Sequence, residues 1–179
     1  ASAATAITVA ILATLFVGYF NHYRIAWIVG AIAAALVALV ARGTAERPAD
    51  AAFGVAYIGV PCLALMWLRA REASFPPTWT LLLFAITWAA DIGAYACGNL
   101  LKGPKLWPRI SPNKTWSGFA GGLICAGLAA WGVSAALPNL SLAPPTALLA
   151  GMAGGLATMA GDLWESILKR RFGVKDSGD

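Results

Sequence analysis

The sequence predicts an all-α protein, a polytopic membrane helix bundle with about six transmembrane segments. Its mean hydropathy is +0.70, and only 12% of its 179 residues are charged, which is too apolar for an ordinary soluble domain. The apolar runs approach the roughly 20 residues that a helix needs to cross a bilayer and exceed the roughly 10 of a barrel strand. They also lack strand alternation, so each run is predicted to be a helix.

Six apolar segments are predicted to span the membrane, separated by connections whose prolines end helices. They are Thr5–Phe20, Ile25–Ala41, Ala51–Leu68, Trp79–Leu101, Gly118–Leu137 and Thr146–Leu168. No basic residues precede the first segment, so we interpret it as a span and not as a signal peptide. We divide the chain into N-terminal transmembrane segments, residues 1–85, and a catalytic-type region, residues 86–179.

The basic residues predict an orientation. If the segments alternate, ten of the thirteen Lys and Arg residues lie on one side, in loops 42–50 and 102–114 and in the tail from Lys169. Basic loops of membrane proteins stay cytoplasmic, so we expect a multi-pass protein of a bacterial-type inner membrane, with the basic loop and tail in the cytoplasm. The net charge of +5 therefore indicates topology, anionic lipid or phosphate ligands, and not nucleic acid.

The small and sulfur-containing residues are interpreted as structural. The three cysteines lie in apolar stretches without a CxxC pair or zinc-type histidine spacing, so packed thiols are predicted. Glycines in the fifth and sixth segments allow close helix approach. Those glycine faces could pack within one bundle or between the two copies of a homodimer.

The end of the sixth predicted span places two carboxylates on one helix face. Asp162, Glu165 and Lys169 are spaced i, i+3 and i+7, with Ser166 beside Glu165. Such a pair could hold a hard divalent cation such as Mg²⁺. The alternative is a surface ion pair between Glu165 and Lys169, with Asp162 capping the helix or facing water.

An acid also lies inside the fourth predicted span. Asp91 is followed one turn later, on the same face, by Tyr95. Ionisable residues inside a span cost free energy, which favours a functional role. The alternatives are a buried polar contact that fixes helix packing and a proton relay.

The connection after the fourth span is predicted to be a loop that wraps phosphates. It contains Ser-Pro-Asn-Lys-Thr, residues 111–115, among several lysines and glycines. Lysines neutralise phosphate charge, hydroxyls and amides donate hydrogen bonds, and a helix N-terminus at about Gly118 would add a favourable dipole. A purely topogenic loop would explain the charges but not this hydroxyl and amide pattern.

Three segments together resemble the CDP-diacylglycerol synthase family, also called phosphatidate cytidylyltransferases. The resemblance covers roughly the C-terminal half, and its most specific part is Ser-x-x-Lys-Arg, four residues, then Lys-Asp. The matching residues are Asp91, Ala94, Tyr95 and Gly98, then Ile110 to Trp116 with Gly118, then Gly161, Asp162, Glu165, Ser166, Lys169, Arg170 and Lys175 to Gly178.

The resemblance implies a multi-span enzyme that joins CTP to phosphatidic acid, a membrane lipid, with Mg²⁺, releasing pyrophosphate and CDP-diacylglycerol. Combined with the residue chemistry above, it implies four catalytic residues, Asp162, Lys169, Lys175 and Asp176. The implied substrate-binding residues are Ser111, Asn113, Lys114, Thr115, Ser166, Arg170, Asp91 and Tyr95, and the implied metal ligands are Asp162 and Glu165.

The chain departs from the family pattern in two ways. Ser117 stands where many relatives carry an acidic or amide residue. The family pattern also continues past Lys-Asp-x-Gly to a His-Gly-Gly segment and an Asp-Arg-x-Asp segment. The chain would then hold half of the metal site, and we expect weak or absent catalysis unless the natural protein continues or another acid, such as Asp91 or Asp179, substitutes.

Two other functions fit the sequence. A transporter or channel could use Asp162, Glu165 and the basic loop as a charged cytoplasmic mouth. Such a protein would be expected to carry polar residues at mid-depth in several spans, and here only Asp91 clearly lies there. A lipid kinase of related membrane type could use CTP as phosphoryl donor.

Overall fold

The computed structural model describes residues 3–43, 47–72, 77–140 and 142–174. Residue contacts divide the chain into two compact units, Ala1–Pro77 and Thr78–Asp179. Each unit has its own helices and its own buried core.

The first unit consists of three helices that all contact one another: α1 (Ala3–Tyr19), α2 (Tyr23–Ala41) and α3 (Pro48–Arg71). Its core is small, built around residues such as Val37 and Val55. Pro48 is the first residue of α3, where its missing amide would have had no helical partner. Asn21 turns the chain between α1 and α2 with φ of 62°, a conformation that asparagine tolerates better than most residues.

The second unit contains three longer helices and a two-stranded ribbon. In chain order these are α4 (Thr78–Leu101), β1 (Lys105–Trp107), β2 (Ser111–Thr115), α5 (Trp116–Ala136), a 3₁₀ turn (Pro138–Leu140) and α6 (Pro144–Arg171). α5 packs against both α4 and α6, and α4 also contacts α6. Leu82, Ile86 and Leu140 belong to the buried core of this unit.

The six predicted apolar segments all form helices, and the all-α membrane class is confirmed. The connection at Lys102–Lys114 corrects the prediction, because it is not an irregular loop. Its residues form the antiparallel ribbon, with Lys105 opposite Thr115 and Trp107 opposite Ser111. α5 consequently begins at Trp116, slightly earlier than expected.

The small residues of α5 pack inside the second unit. A methyl group at Gly118 would lie 2.7 Å from the carbonyl oxygen of Ala94, and one at Gly122 would lie 2.7 Å from that of Ala90. These glycines therefore bring the backbones of α4 and α5 together. Of the two arrangements that the sequence allowed, these residues adopt packing within one bundle.

The surface is that of an integral membrane protein. Four of the described helices, α2, α3, α4 and α5, are long and apolar enough to cross a bilayer, whereas α1 is apolar but shorter at 17 residues. α6 has 28 residues and ends in a charged segment. Large apolar side chains are exposed along the helices, among them Leu12, Phe16, Ile32, Ile92, Ile124 and Leu149. Lipid would cover such faces, since water would not favour them.

Candidate active site

An open cleft of about 790 Å³ lies in the second unit, within the size range of small-molecule sites. Its walls come from α4, the ribbon, the start of α5 and α6. The structure gathers six of the sequence-predicted residues here: Asp91, Tyr95, Asn113, Lys114, Thr115 and Asp162. Residues that are far apart in the chain therefore share one site.

The main polar contact of the cleft is an ion pair between the ribbon and α6. The ammonium of Lys114 donates to Oδ2 of Asp162 at 3.0 Å, and the two side chains are 28% and 48% exposed. The Asp91 carboxylate on α4 is close enough to interact electrostatically with both groups. Two carboxylates and an ammonium group thus meet at a surface that a charged ligand can reach.

The ribbon positions Lys114. Its strands pair in an antiparallel register, and the amide of Trp116 donates to the carbonyl oxygen of Pro104 at 2.9 Å, which ties the end of β2 to the start of β1. α4 ends at Leu101, and Lys102 turns the chain towards the ribbon with φ of 45°. Lys114 is therefore carried by a paired strand, in the stretch where the register with β1 shifts, and not by a free loop.

Thr115 joins the ribbon to α5. Its hydroxyl accepts a hydrogen bond from the Gly118 amide at 3.1 Å and caps the helix, as threonine commonly does. The hydroxyls of Thr115 and Ser117 lie 3.1 Å apart, and the Gly103 amide donates to Ser117 at 3.2 Å. These bonds fix the local backbone, so the Thr115 hydroxyl already has a structural partner.

In the charged last turns of α6, the side chains of Glu165 and Ser166 make contacts within the helix itself. Glu165 forms an ion pair with Lys169, with 2.8 Å between Oε1 and Nζ, which is the alternative that the sequence offered. The Ser166 hydroxyl donates to the backbone carbonyl of Asp162 at 2.8 Å, and Arg170 is exposed near the helix end. None of these four side chains lines the cleft.

The other three predicted site residues lie outside the cleft or outside the described residues. Ser111 lies at the far end of β2, opposite Trp107, and does not line the cleft. Lys175 and Asp176 fall outside the described residues, and their predicted roles stay predictions.

The cleft also contains residues that the sequence reasoning did not select. These are Asn99, Lys102, Gly103, Lys105, Leu106, Phe119 and Met159. Asn99 could have been found, because it lies two turns after Asp91 on the face that already carried Tyr95. Lys102 and Lys105 belong to the basic connection, and nothing local in the sequence predicts that they share a cleft with Asp162 of α6.

The donor atoms suit a hard cation. Asp91 and Asp162 offer carboxylate oxygens, and Asn99 and Asn113 offer amide oxygens in the same cleft. Within the described residues, no group of three or more histidine, cysteine or acidic side chains forms a complete metal cage. Mg²⁺ is often bound by only one or two carboxylates together with substrate phosphates, so the residues present fit that ion.

The fold and the cleft define a class, a polytopic helical membrane protein with a charged, open cleft. The chain belongs to the cytidylyltransferase family, whose sequence model matches residues 1–179. A phosphatidate cytidylyltransferase of Brucella suis is 42% identical over 159 residues, which cover 82% of this chain and 53% of that protein. One from Staphylococcus saprophyticus is 39% identical over 132 residues, covering 72% of this chain and 49% of the relative.

The chain spans about half the length of the curated relatives it matches. No solved structure matches it significantly.

Proposed function

We propose that the protein is a phosphatidate cytidylyltransferase, which converts CTP and phosphatidic acid to CDP-diacylglycerol and pyrophosphate. The observation that carries the proposal is the cleft in which Lys114 pairs with Asp162 beside Asp91. Family membership and the names of the relatives support the same activity. Both substrates carry phosphates, and the cleft belongs to a chain with membrane-spanning helices, so a lipid and a nucleotide could meet there.

The proposed reaction requires little covalent chemistry from the protein itself. A phosphate oxygen of phosphatidic acid attacks the α-phosphorus of CTP, the bond from that phosphorus to the bridging oxygen breaks, and pyrophosphate leaves with the electron pair. Catalysis then depends on holding the reactants in line and offsetting their charge. Lys102, Lys105 and Lys114 line the cleft and would neutralise phosphate oxygens.

The basic end of α6 and the tail would add to this charge. Lys169, Arg170 and Lys175 are proposed to contact phosphates of the bound substrates, and Asp176 is proposed to act beside them. Lys169 would then exchange its contact with Glu165 for a substrate phosphate. Ser111 and Ser166 are proposed to help orient the phosphates.

Mg²⁺ is proposed as the cofactor. Asp162 would hold it, and of the two candidate second ligands the geometry favours Asp91 over Glu165, because Asp91 lines the cleft and Glu165 pairs with Lys169. When bound, the ion would neutralise triphosphate charge and make pyrophosphate a better leaving group. The chain's own contribution is to keep two carboxylates and a lysine at one place.

The site is proposed to face the cytoplasm of a bacterial inner membrane. The excess of Lys and Arg in the connection and tail supports this orientation. CTP would then arrive from the cytoplasm, and the lipid would enter from the bilayer.

The experiment is conversion of labelled CTP and phosphatidic acid by the purified chain in detergent with Mg²⁺, followed by product analysis. We expect CDP-lipid and pyrophosphate, and we expect Asp162→Asn to abolish their formation. Because the chain is shorter than its relatives, a chimera that appends the C-terminal part of the Brucella suis relative is tested in parallel. Asp162→Asn in an active form with unchanged turnover would remove Asp162 from the metal site.

The products also separate the alternatives. CDP together with a phosphorylated lipid would identify a CTP-dependent lipid kinase. No chemistry from either the chain or the chimera would favour a transporter or channel with a charged mouth.

A further inference from the structure

A second cleft is lined only by residues of the first unit and shares no residue with the candidate active site. It measures about 810 Å³ and lies between the turn that joins α1 to α2 and the last turns of α3. Its lining includes two arginines and no acidic residue. The cleft is therefore positively charged and open.

The two arginines are available for an anion. Arg24 and Arg71 are both exposed, and neither forms an ion pair with an acid in the ranges that the structure describes. The Arg71 guanidinium lies over the Trp67 ring, 5.1 Å from the ring centroid. This cation–π contact favours the observed position of the guanidinium, a group whose N–H donors are suited to bidentate contacts with a phosphate.

The start of α2 adds a second attraction for an anion. His22 precedes this 19-residue helix without making a side-chain cap, and the first helical hydrogen bond runs from the Ala26 amide to the His22 carbonyl. The earlier amides of the helix lack intrahelical partners and carry the positive end of the helix dipole. Tyr23 donates to the Met66 carbonyl at 3.2 Å and so fixes the helix start against α3.

The surroundings favour a lipid over a soluble anion. α2 and α3 are both long and apolar enough to cross a bilayer, so the cleft lies at the ends of two spans. Trp27 and Trp67 line it and are 44% and 42% exposed. Tryptophans are enriched at the depth of lipid headgroups, where the phosphate of a glycerophospholipid lies.

We propose that this cleft binds the phosphodiester of an anionic glycerophospholipid through Arg24 and Arg71, with its acyl chains along the apolar faces of α2 and α3. The site is independent of the proposed enzymatic activity. Its ligand is held by charge and by the helix start, and no bond is made or broken there.

The test is binding of phosphatidylglycerol, with phosphatidylcholine for comparison, to the 179-residue chain in detergent, measured by native mass spectrometry. We expect phosphatidylglycerol to bind preferentially and the double variant R24Q/R71Q to weaken it about 30-fold, since two basic residues near a headgroup together contribute about 2 kcal/mol and every 1.4 kcal/mol is tenfold. R69Q is the matched control, because Arg69 is in the same last turn of α3 but does not line the cleft. It should leave binding unchanged.

A second measurement does not depend on the variants folding. Phosphatidylglycerol with a photoreactive group near its headgroup is cross-linked to the unmodified chain, and the labelled peptides are mapped. Labelling of residues 21–27 or 64–71 would support the proposal. Labelling confined to other segments, equal binding of both lipids, or equal losses in R69Q and the double variant would overturn it. Full displacement by millimolar inorganic phosphate would overturn the lipid assignment in favour of a free-phosphate site.

Discussion

Loss of the Lys114 side chain should affect activity much more than stability. Its ion pair with Asp162 is partly exposed, and such pairs contribute at most about 1 kcal/mol. A phosphate-neutralising contact in a transition state is worth more, about 100-fold or greater in rate. We therefore predict that Lys114→Ala lowers kcat/KM for CTP about 100-fold while the unfolding temperature in detergent changes little.

Arg109 provides the matched control for Lys114. It is a basic residue of the same ribbon connection, and it does not line the cleft. Arg109→Gln should keep normal turnover. A similar loss of activity in both variants would mean that the general charge of the connection matters, and not the position of Lys114.

Asp91 is the proposed second carboxylate of the metal site. If Asp91 and Asp162 share the metal, Asp91→Asn should raise the Mg²⁺ concentration needed for half-maximal activity at least tenfold. Glu165→Gln should raise it much less, because Glu165 pairs with Lys169 on the α6 helix. Activity titrated against Mg²⁺ for both variants decides the question, and the opposite order would restore Glu165 as the metal ligand.

The chemistry of individual residues was more predictable than their partners. Helical spacing correctly placed Asp91 and Tyr95 on one face, because that relation is local. Spacing also paired Asp162 with Glu165, whereas the cleft brings Asp162 to Lys114 and Asp91. These partners lie on other elements, and their proximity depends on how α4, the ribbon and α6 pack.

At the scale of elements, Thr115 links the ribbon to α5. Thr115→Ala removes the hydroxyl that accepts from the Gly118 amide, and loss of such a cap costs about 1 kcal/mol. We predict a lower unfolding temperature for this variant, measured by thermal unfolding in detergent, and near-normal stability for Thr115→Ser. Unchanged stability with lost turnover would instead assign the hydroxyl to the substrate.

The contact between α4 and α5 depends on glycine. In Gly122→Ala the new methyl group would meet the Ala90 carbonyl, and overpacking of this kind costs about 1–3 kcal/mol. Gly132 is the control on the same helix, because a methyl group there meets nothing within 4 Å. Thermal unfolding should show destabilisation for Gly122→Ala alone, and equal behaviour of the two variants would contradict close packing at Gly122.

The helices were predictable and the ribbon was not. Long apolar runs ended by prolines define the helices, so Pro48 and Pro144 mark the starts of α3 and α6 as the structure has them. The strands have three and five residues, too short for alternation to be recognised. Their pairing depends on contacts such as that between the Trp116 amide and the Pro104 carbonyl, which composition does not reveal.

For the whole molecule, the orientation in the membrane is testable. In a background without the three native cysteines, we predict that Arg109→Cys reacts with a membrane-impermeant maleimide only after the cells are broken. Asn21→Cys should react in intact cells, because the positive-inside rule puts the turn after α1 on the opposite side. The reverse labelling pattern would place the basic connection outside and away from the cytoplasmic CTP that the proposed reaction needs.

The junction of β2 and α5 also bears on how related sequences can differ in length. Lys114 faces Asp162, and the next residue pairs with Lys105 and caps the helix, so one inserted residue between positions 114 and 115 would rotate these groups out of register. Residues 108–110, between the strands, neither line the cleft nor cap a helix. We expect insertions and deletions among homologues to collect at residues 108–110 and to be absent at the junction.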